Sequence, residues 1–248
     1  SASYYYRSSE NENDSRSKVE NLLPDNKFTT ESLGKTRNLN NGHNLNVEFE
    51  YKIDSLTSLS IRPNFKKNNS RNTSIRTQIS VSEFGESLNE SDSYSNSAGN
   101  SFSFDNSLYL FRKFKKKGRS ISFNFSNATT RNNSEDQDIS ATVFYKTEGD
   151  EFINRNLIEN NENKSDRYSG SLTYAEPVTD SLTFSVGTRY TWSKSVDDKN
   201  TFDYNTGTNA YSLKNDLLSN YIDSQTRLIS PFVSFSIRKN SYSGRINI

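Results

Sequence analysis

Seven stretches of this chain alternate apolar and polar side chains residue by residue, the two-residue period of a strand with two unlike faces. HNLNVEFEYK sets Leu45, Val47, Phe49 and Tyr51 against Asn44, Asn46, Glu48 and Glu50. SLSIRPNF aligns Leu59, Ile61, Pro63 and Phe65, and RSISFNF aligns Ile121, Phe123 and Phe125 after the shorter set Leu108 and Leu110. SGSLTYAEP gives Leu172 and Tyr174. The longest set is Leu182, Phe184, Val186, Thr188, Tyr190 and Trp192. ISPFVSFSI adds Ile229, Val233, Phe235 and Ile237, and SYSGRINI adds Tyr242, Ile246 and Ile248.

These segments meet in pairs at short connections. IDSLT turns at Asp54 and Ser55, KKKG at Lys116, Lys117 and Gly118, PVTD at Val178, Thr179 and Asp180, and KNS at Lys239 and Asn240. The connections recur roughly every 60 residues, the mark of a repeated structural unit. Between them run long polar stretches with turn chemistry at their tips: LPDNK, EFGESLNE, TEGDEF and NTGTN. The unit is a hairpin with one tight end, two long strands and a polar far end.

Strand length separates a soluble sandwich from a membrane barrel, because both alternate. About 25 residues lie between a tight turn and the far tip, where soluble strands have 3–10. An outer-membrane barrel shows lipid an apolar band only ~25 Å tall, crossed by about 10 residues per strand, half of them facing outward. A hairpin of this kind needs few apolar residues, which accounts for a mean hydropathy of −0.92 and only 30% hydrophobic residues. Disorder, the other reading of such numbers, is opposed by 12% aromatics and by the regular spacing. The fold class expected is all-β: a section of an antiparallel transmembrane β-barrel with long strands, short periplasmic turns and long extracellular hairpin ends. About nine strand passes are present, all in one domain (1–248). Their apolar sets face lipid: Leu45, Val47, Phe49, Tyr51, Leu59, Ile61, Phe65, Leu108, Leu110, Ile121, Phe123, Phe125, Leu172, Tyr174, Leu182, Phe184, Val186, Tyr190, Trp192, Val233, Phe235 and Ile237. The chain opens in SASYYYRSS, stops in SGRINI and holds no methionine, and reads as an internal fragment of a longer protein.

The basic run FRKFKKKGRSISFNF (Phe111–Phe125) invites a nucleic-acid reading. Strand patterns flank it closely, and 31 basic residues balance 30 acidic ones, so a solvated tight turn with Gly118 at positive φ is preferred; contact with anionic headgroups is the remaining alternative. No nucleic acid and no cofactor is expected. His43 is the single histidine and no cysteine is present, which leaves no transition-metal set and no nucleophilic dyad. The acidic clusters Glu135, Asp136, Asp138 and Asp197, Asp198, Asp203 lack the spacing of a calcium loop. No enzymatic motif is present, and none is expected. Pro63 and Pro231 interrupt otherwise regular strands, and a bulge or an interfacial position is expected at each.

EFEYKIDSLTSLSIRPNF, LYLFRKFKKKGRSISFNF and LTYAEPVTDSLTFSVGTRYTWSK resemble successive hairpins of the outer-membrane β-barrel family related to TonB-dependent transporters. The resemblance covers essentially the whole chain. It implies a Gram-negative outer-membrane location, a larger barrel of about twenty-two strands, and a plug domain upstream that couples to an inner-membrane energy complex. Ligand uptake is the activity it implies. The alternatives are a non-transport barrel with a structural, adhesion or secretion role, and a soluble β-rich adhesin.

Overall fold

The computed structural model describes residues 1–23, 26–239 and 242–247. Among the described residues eleven β-strands and no helix make one antiparallel sheet. They are β1 (Ala2–Leu23), β2 (Asn26–Val47), β3 (Phe49–Lys52), β4 (Thr57–Ser82), β5 (Ser87–Lys113), β6 (Ser120–Phe144), β7 (Glu151–Pro177), β8 (Leu182–Asn205), β9 (Ala210–Lys214), β10 (Asn220–Lys239) and β11 (Tyr242–Asn247). Nine lie side by side in the order β1-β2-β4-β5-β6-β7-β8-β10-β11; β3 prolongs β2 along β4, and β9 pairs with the far end of β8. The outer edges of β1 and β11 are open.

The sheet is one layer thick. Leu157, 4% exposed, is the one buried hydrophobic side chain among the described residues. Soluble domains of this length bury a core between packed layers. Here the large apolar side chains stay exposed: Tyr51, Phe123, Leu172, Val186, Tyr190 and Ile237 among them.

Successive hairpins are staggered. Ser58, in the closing pair of the β3–β4 hairpin, stands opposite Phe111, and β5 runs two residues further, to Lys113. Ser120 stands opposite Ala175, and β7 runs two residues further, to Pro177. Thr183 stands opposite Ser236, and β10 runs three residues further, to Lys239. A slip of two to three residues at ~3.3 Å each, over two strand spacings of ~4.8 Å, tilts the strands ~35–45° from the perpendicular to the turn line. That is the tilt of a membrane barrel.

The tight connections fall at residues 53–56, 114–119 and 178–181; Asn240 and Ser241 of the fourth expected turn, and Pro24 and Asp25 of the first far tip, lie outside the described residues. In the basic turn Gly118 has φ +86°, Phe114 N–H donates to Arg119 C=O (3.0 Å) and Arg119 N–H to Lys116 C=O (3.1 Å). Glycine adopts that conformation without the penalty a Cβ brings.

Neither proline makes a bulge. Thr57 N–H donates toward β3, to Asp54 C=O, so by alternation the odd-numbered amides of β4 point to that side and Pro63 removes one of their bonds. The partner strand is interrupted there: β2 ends at Val47 and β3 resumes at Phe49 in unbroken register. Arg238 N–H donates to Ser181 C=O, so the odd-numbered positions of β10 point away from β8. Pro231 therefore faces the side where β11 pairs only Ser234–Lys239, and it stays in register opposite Thr188.

One irregularity had no sequence signal. Residues 215–219 leave the sheet between β9 and β10 and fold over Thr201, which is fully buried. Thr201 N–H donates to Ser219 Oγ (3.0 Å), its hydroxyl donates to Leu218 C=O (3.2 Å), and its carbonyl accepts from Asn215 N–H (2.8 Å).

Candidate lipid-facing band and polar face

Directly paired residues of an antiparallel sheet share a face, and the register collects every expected apolar residue on one of the two. One row reads Tyr51, Leu59, Leu110, Phe123, Leu172, Thr188 and Pro231 across seven strands. The next, away from the turns, reads Phe49, Ile61, Leu108, Phe125, Gly170, Tyr190 and Ile229. On the turn side come Ile121, Tyr174, Val186 and Val233, then Phe184 with Phe235, then Leu182 with Ile237. Val47 lies on the same face two residues from Leu45, and Leu45 stands opposite Phe65.

Aromatic pairs mark both margins. On the far side Tyr168 packs on Trp192 (ring centroids 5.6 Å apart) and Phe65 on Phe104 (4.5 Å); on the turn side Phe184 packs on Phe235 (5.2 Å). From Leu182 to Trp192 the strand rises ~33 Å, or ~25 Å of height at a tilt of about 40°, the thickness of an outer-membrane apolar band. Just beyond it, Arg131 holds Asp166 through both carboxylate oxygens (2.9 and 2.7 Å), and the Thr129 hydroxyl donates to the same carboxylate (2.9 Å).

The opposite face is built from small polar side chains. One row reads Arg62, Ser107, Ser126, Ser169 and Thr191, another Lys66, Ser103, Thr130, Ser165, Ser195 and Ser224. Hydroxyls and amides hydrogen-bond to one another across strands, Ser169 with Thr191 at 3.2 Å and Asn64 donating to Asn44 at 3.2 Å, and along one strand, Asn46 donating to Asn44 at 2.7 Å. Arg62 bridges Glu48 (2.8 Å) and Glu50 (3.0 Å). Gly187 lies on this face because nothing larger fits: a Cβ there would stand 2.5 Å from the Phe232 ring and 2.6 Å from the Leu172 carbonyl oxygen.

The expected turn residues close the ends. Asp54 accepts from Leu56 N–H (2.7 Å) and from the Thr57 hydroxyl (3.1 Å). The Leu56 amide first, and Thr57 with it, holds the Asp54 carboxyl below the ordinary aspartate range. A carboxyl with a lower pKa folded than unfolded contributes stability that is present above ~pH 3.9 and is lost as the pH falls through the folded value. Acidifying below ~pH 4 is therefore expected to weaken the hairpin. Asp54→Asn, which keeps the acceptor oxygen and cannot titrate, should flatten that dependence in heat-dependent gel migration across a pH series. Thr179 closes the third turn by accepting from Ser181 and Leu182 N–H at 3.3 and 3.0 Å.

Three features of the apolar face lie outside the expected set. Phe104 and Tyr168 supply half of the far-side aromatic pairs. Phe104 is separated from Leu108 by Asn106, whose Oδ1 is buried without a partner among the described residues, so the apolar run looked shorter than it is. Glu176 sits opposite Phe184 on the same face. It accepts from Lys116 Nζ (2.6 Å), Arg119 Nε and Nη2 (2.7 and 2.9 Å) and the Tyr174 hydroxyl (2.5 Å). Its charge is thus matched by two residues of the preceding basic turn. Among the described residues no histidine and carboxylate group fit to hold a metal ion is present.

A one-layer antiparallel sheet with an apolar belt on one face and a hydroxyl-rich opposite face is the wall of a membrane β-barrel. The chain belongs to the outer membrane protein β-barrel family: the model of that family matches residues 112–246, more than half of the 248-residue length. That membership puts the protein in the outer membrane. No curated protein matches the chain. Among solved structures it is similar to the siderophore receptor PiuA from Acinetobacter baumannii, at 9% identity and a TM-score of 0.28, over 96% of this chain and 47% of that one. The chain spans about half the length of that receptor.

Proposed function

We propose that this sheet is part of the wall of an outer-membrane transporter, with its apolar face in lipid and its polar face lining the path of a ligand. The observation that carries the proposal is the polar face: small hydroxyl and amide groups, hydrogen-bonded to one another, run from the tight turns to beyond the apolar band. Such a surface is wetted along most of its height, with Tyr109, Phe111 and Phe232 as aromatic exceptions near the turns. A plug, the remaining strands and an inner-membrane energy complex complete the transporter in this reading. An unplugged, non-conducting barrel with a structural, adhesion or secretion role is the competing reading.

No cysteine of these 248 residues competes with an introduced one. In envelope vesicles Ser126→Cys is expected to react with a water-soluble maleimide and Phe125→Cys, one residue away, to stay unlabelled. Equal labelling of both would remove the lumenal assignment of the polar face. For transport itself, the intact protein in a planar bilayer is expected to conduct once mild denaturant releases its plug. A barrel that never conducts under either condition overturns the transporter reading in favour of a structural one.

A further inference from the structure

Charge is distributed along this sheet as unevenly as hydrophobicity. The four tight hairpin ends (residues 51–57, 111–120, 175–182 and 237–245) hold ten lysines and arginines against three carboxylates, a net +7, while the whole chain nets +1 and the rest of it therefore −6. Two of the three carboxylates are engaged within the ends themselves. Asp54 accepts from its own turn, and Glu176 is held by Lys116 and Arg119. Eight cations are left over, all exposed and without a carboxylate partner among the described residues: Lys52, Arg112, Lys113, Lys115, Lys117, Arg238, Lys239 and Arg245.

Their placement is specific. Arg112 is opposite Ile121 and two residues beyond Leu110, and Lys239 is two residues beyond Ile237, so both stand on the apolar face at its turn-side margin. Phe184 packs on Phe235 on that face (ring centroids 5.2 Å apart), and the Tyr174 hydroxyl points to the same margin through Glu176, which stands opposite Phe184. An apolar band that ends in aromatic rings and then in unpaired cations meets, in order, acyl chains, glycerol esters and phosphates.

We propose that the tight-turn end of the sheet is a binding surface for the phosphate groups of anionic glycerophospholipids in the leaflet it reaches. Lys113, Lys115 and Lys117 supply flexible point charges from the β5–β6 turn, and Arg112 a planar fork at the edge of the band. Neutralising Glu176 from within the protein removes the one carboxylate on the apolar face there that would repel a headgroup. The inference rests on membership of the membrane family and not on transport, so a failed conductance experiment leaves it standing.

The test is lipid retention by the intact, detergent-extracted protein, offered phosphatidylglycerol and phosphatidylcholine in equal amounts and read by native mass spectrometry. Phosphatidylglycerol is expected to be retained at least about tenfold over phosphatidylcholine, each cation near an anionic surface adding a comparable increment. The preference should fall as salt is raised. The variant R112Q/K113Q/K115Q/K117Q should lose it, while K146Q/K214Q at the far tips should keep it. Should the fourfold variant fail to assemble, the salt titration of the parent protein decides. Equal retention of the two lipids, a preference indifferent to salt, or a preference kept by the assembled fourfold variant overturns the proposal. Displacement of the lipid by millimolar inorganic phosphate reassigns the surface to free anions and overturns it too.

Discussion

Phe123→Arg is expected to strip the assembled protein from the outer membrane, and Asn124→Arg, one residue along the same strand, to leave it in place. Phe123 stands between Leu110 and Leu172 in the middle of the apolar band, with Tyr51, Leu59, Thr188 and Pro231 completing the row. An arginine at the depth of the bilayer midplane costs about 2–4 kcal/mol on a barrel's lipid face. That is a large share of the few kcal/mol by which a typical folded protein is stable. Asn124 pairs with Tyr109 and Ser171 on the opposite, polar face, where a guanidinium remains hydrated. Comparing heat-resistant, membrane-fractionated protein from the two variants measures the difference. Equal loss from both would show that strand β6 does not have one face in lipid.

The second large effect is steric. Gly187→Val is expected to destabilise the sheet by about 1–3 kcal/mol, the usual cost of forcing atoms into a filled site. The added Cβ meets a backbone oxygen, Leu172 C=O, as well as the Phe232 ring. Phe232→Ala should therefore rescue the variant only in part: a ring gives way and a carbonyl in a hydrogen-bonded ladder does not. Denaturant titration of the refolded barrel in lipid vesicles checks both values. Full rescue would show that the carbonyl approach is not limiting.

The sequence and the structure agree where the two-residue period is strongest. Between Phe49 and Ile237 each apolar set lay on one face as alternation alone required, because adjacent sets had to meet across a tight turn. Four kinds of information were not legible. Strands β1 and β2 run 22 residues each, through stretches such as ENENDSRSK that show no apolar alternation. Their pairing rests on backbone hydrogen bonds and on opposite charges set across from one another, Lys18 with Glu31, Asp14 with Lys35 and Glu12 with Arg37, which a search for apolar alternation does not reveal. Cross-strand partners such as Tyr168 with Trp192 depend on the stagger between hairpins, and a single strand's sequence does not contain it. The contact of Gly187 with Phe232 was hidden for a similar reason. Phe232 lies beside Val233 in one apolar stretch, yet it points to the polar face and fills the space that the glycine leaves. Glu176 looked like an ordinary charged residue near a turn, since its partners Lys116 and Arg119 come from the preceding hairpin.

A sheet whose described residues bury a single hydrophobic side chain, Leu157, has no interior of its own. The acyl chains around it take the part that packed leucines and phenylalanines play inside a soluble domain, and their length, saturation and order stand where core composition usually stands. For such a protein a change in the membrane's lipids acts on every band residue at once, as a core mutation acts on one. The organism that adjusts its outer membrane to temperature thereby resets the folding free energy of this wall without altering a codon.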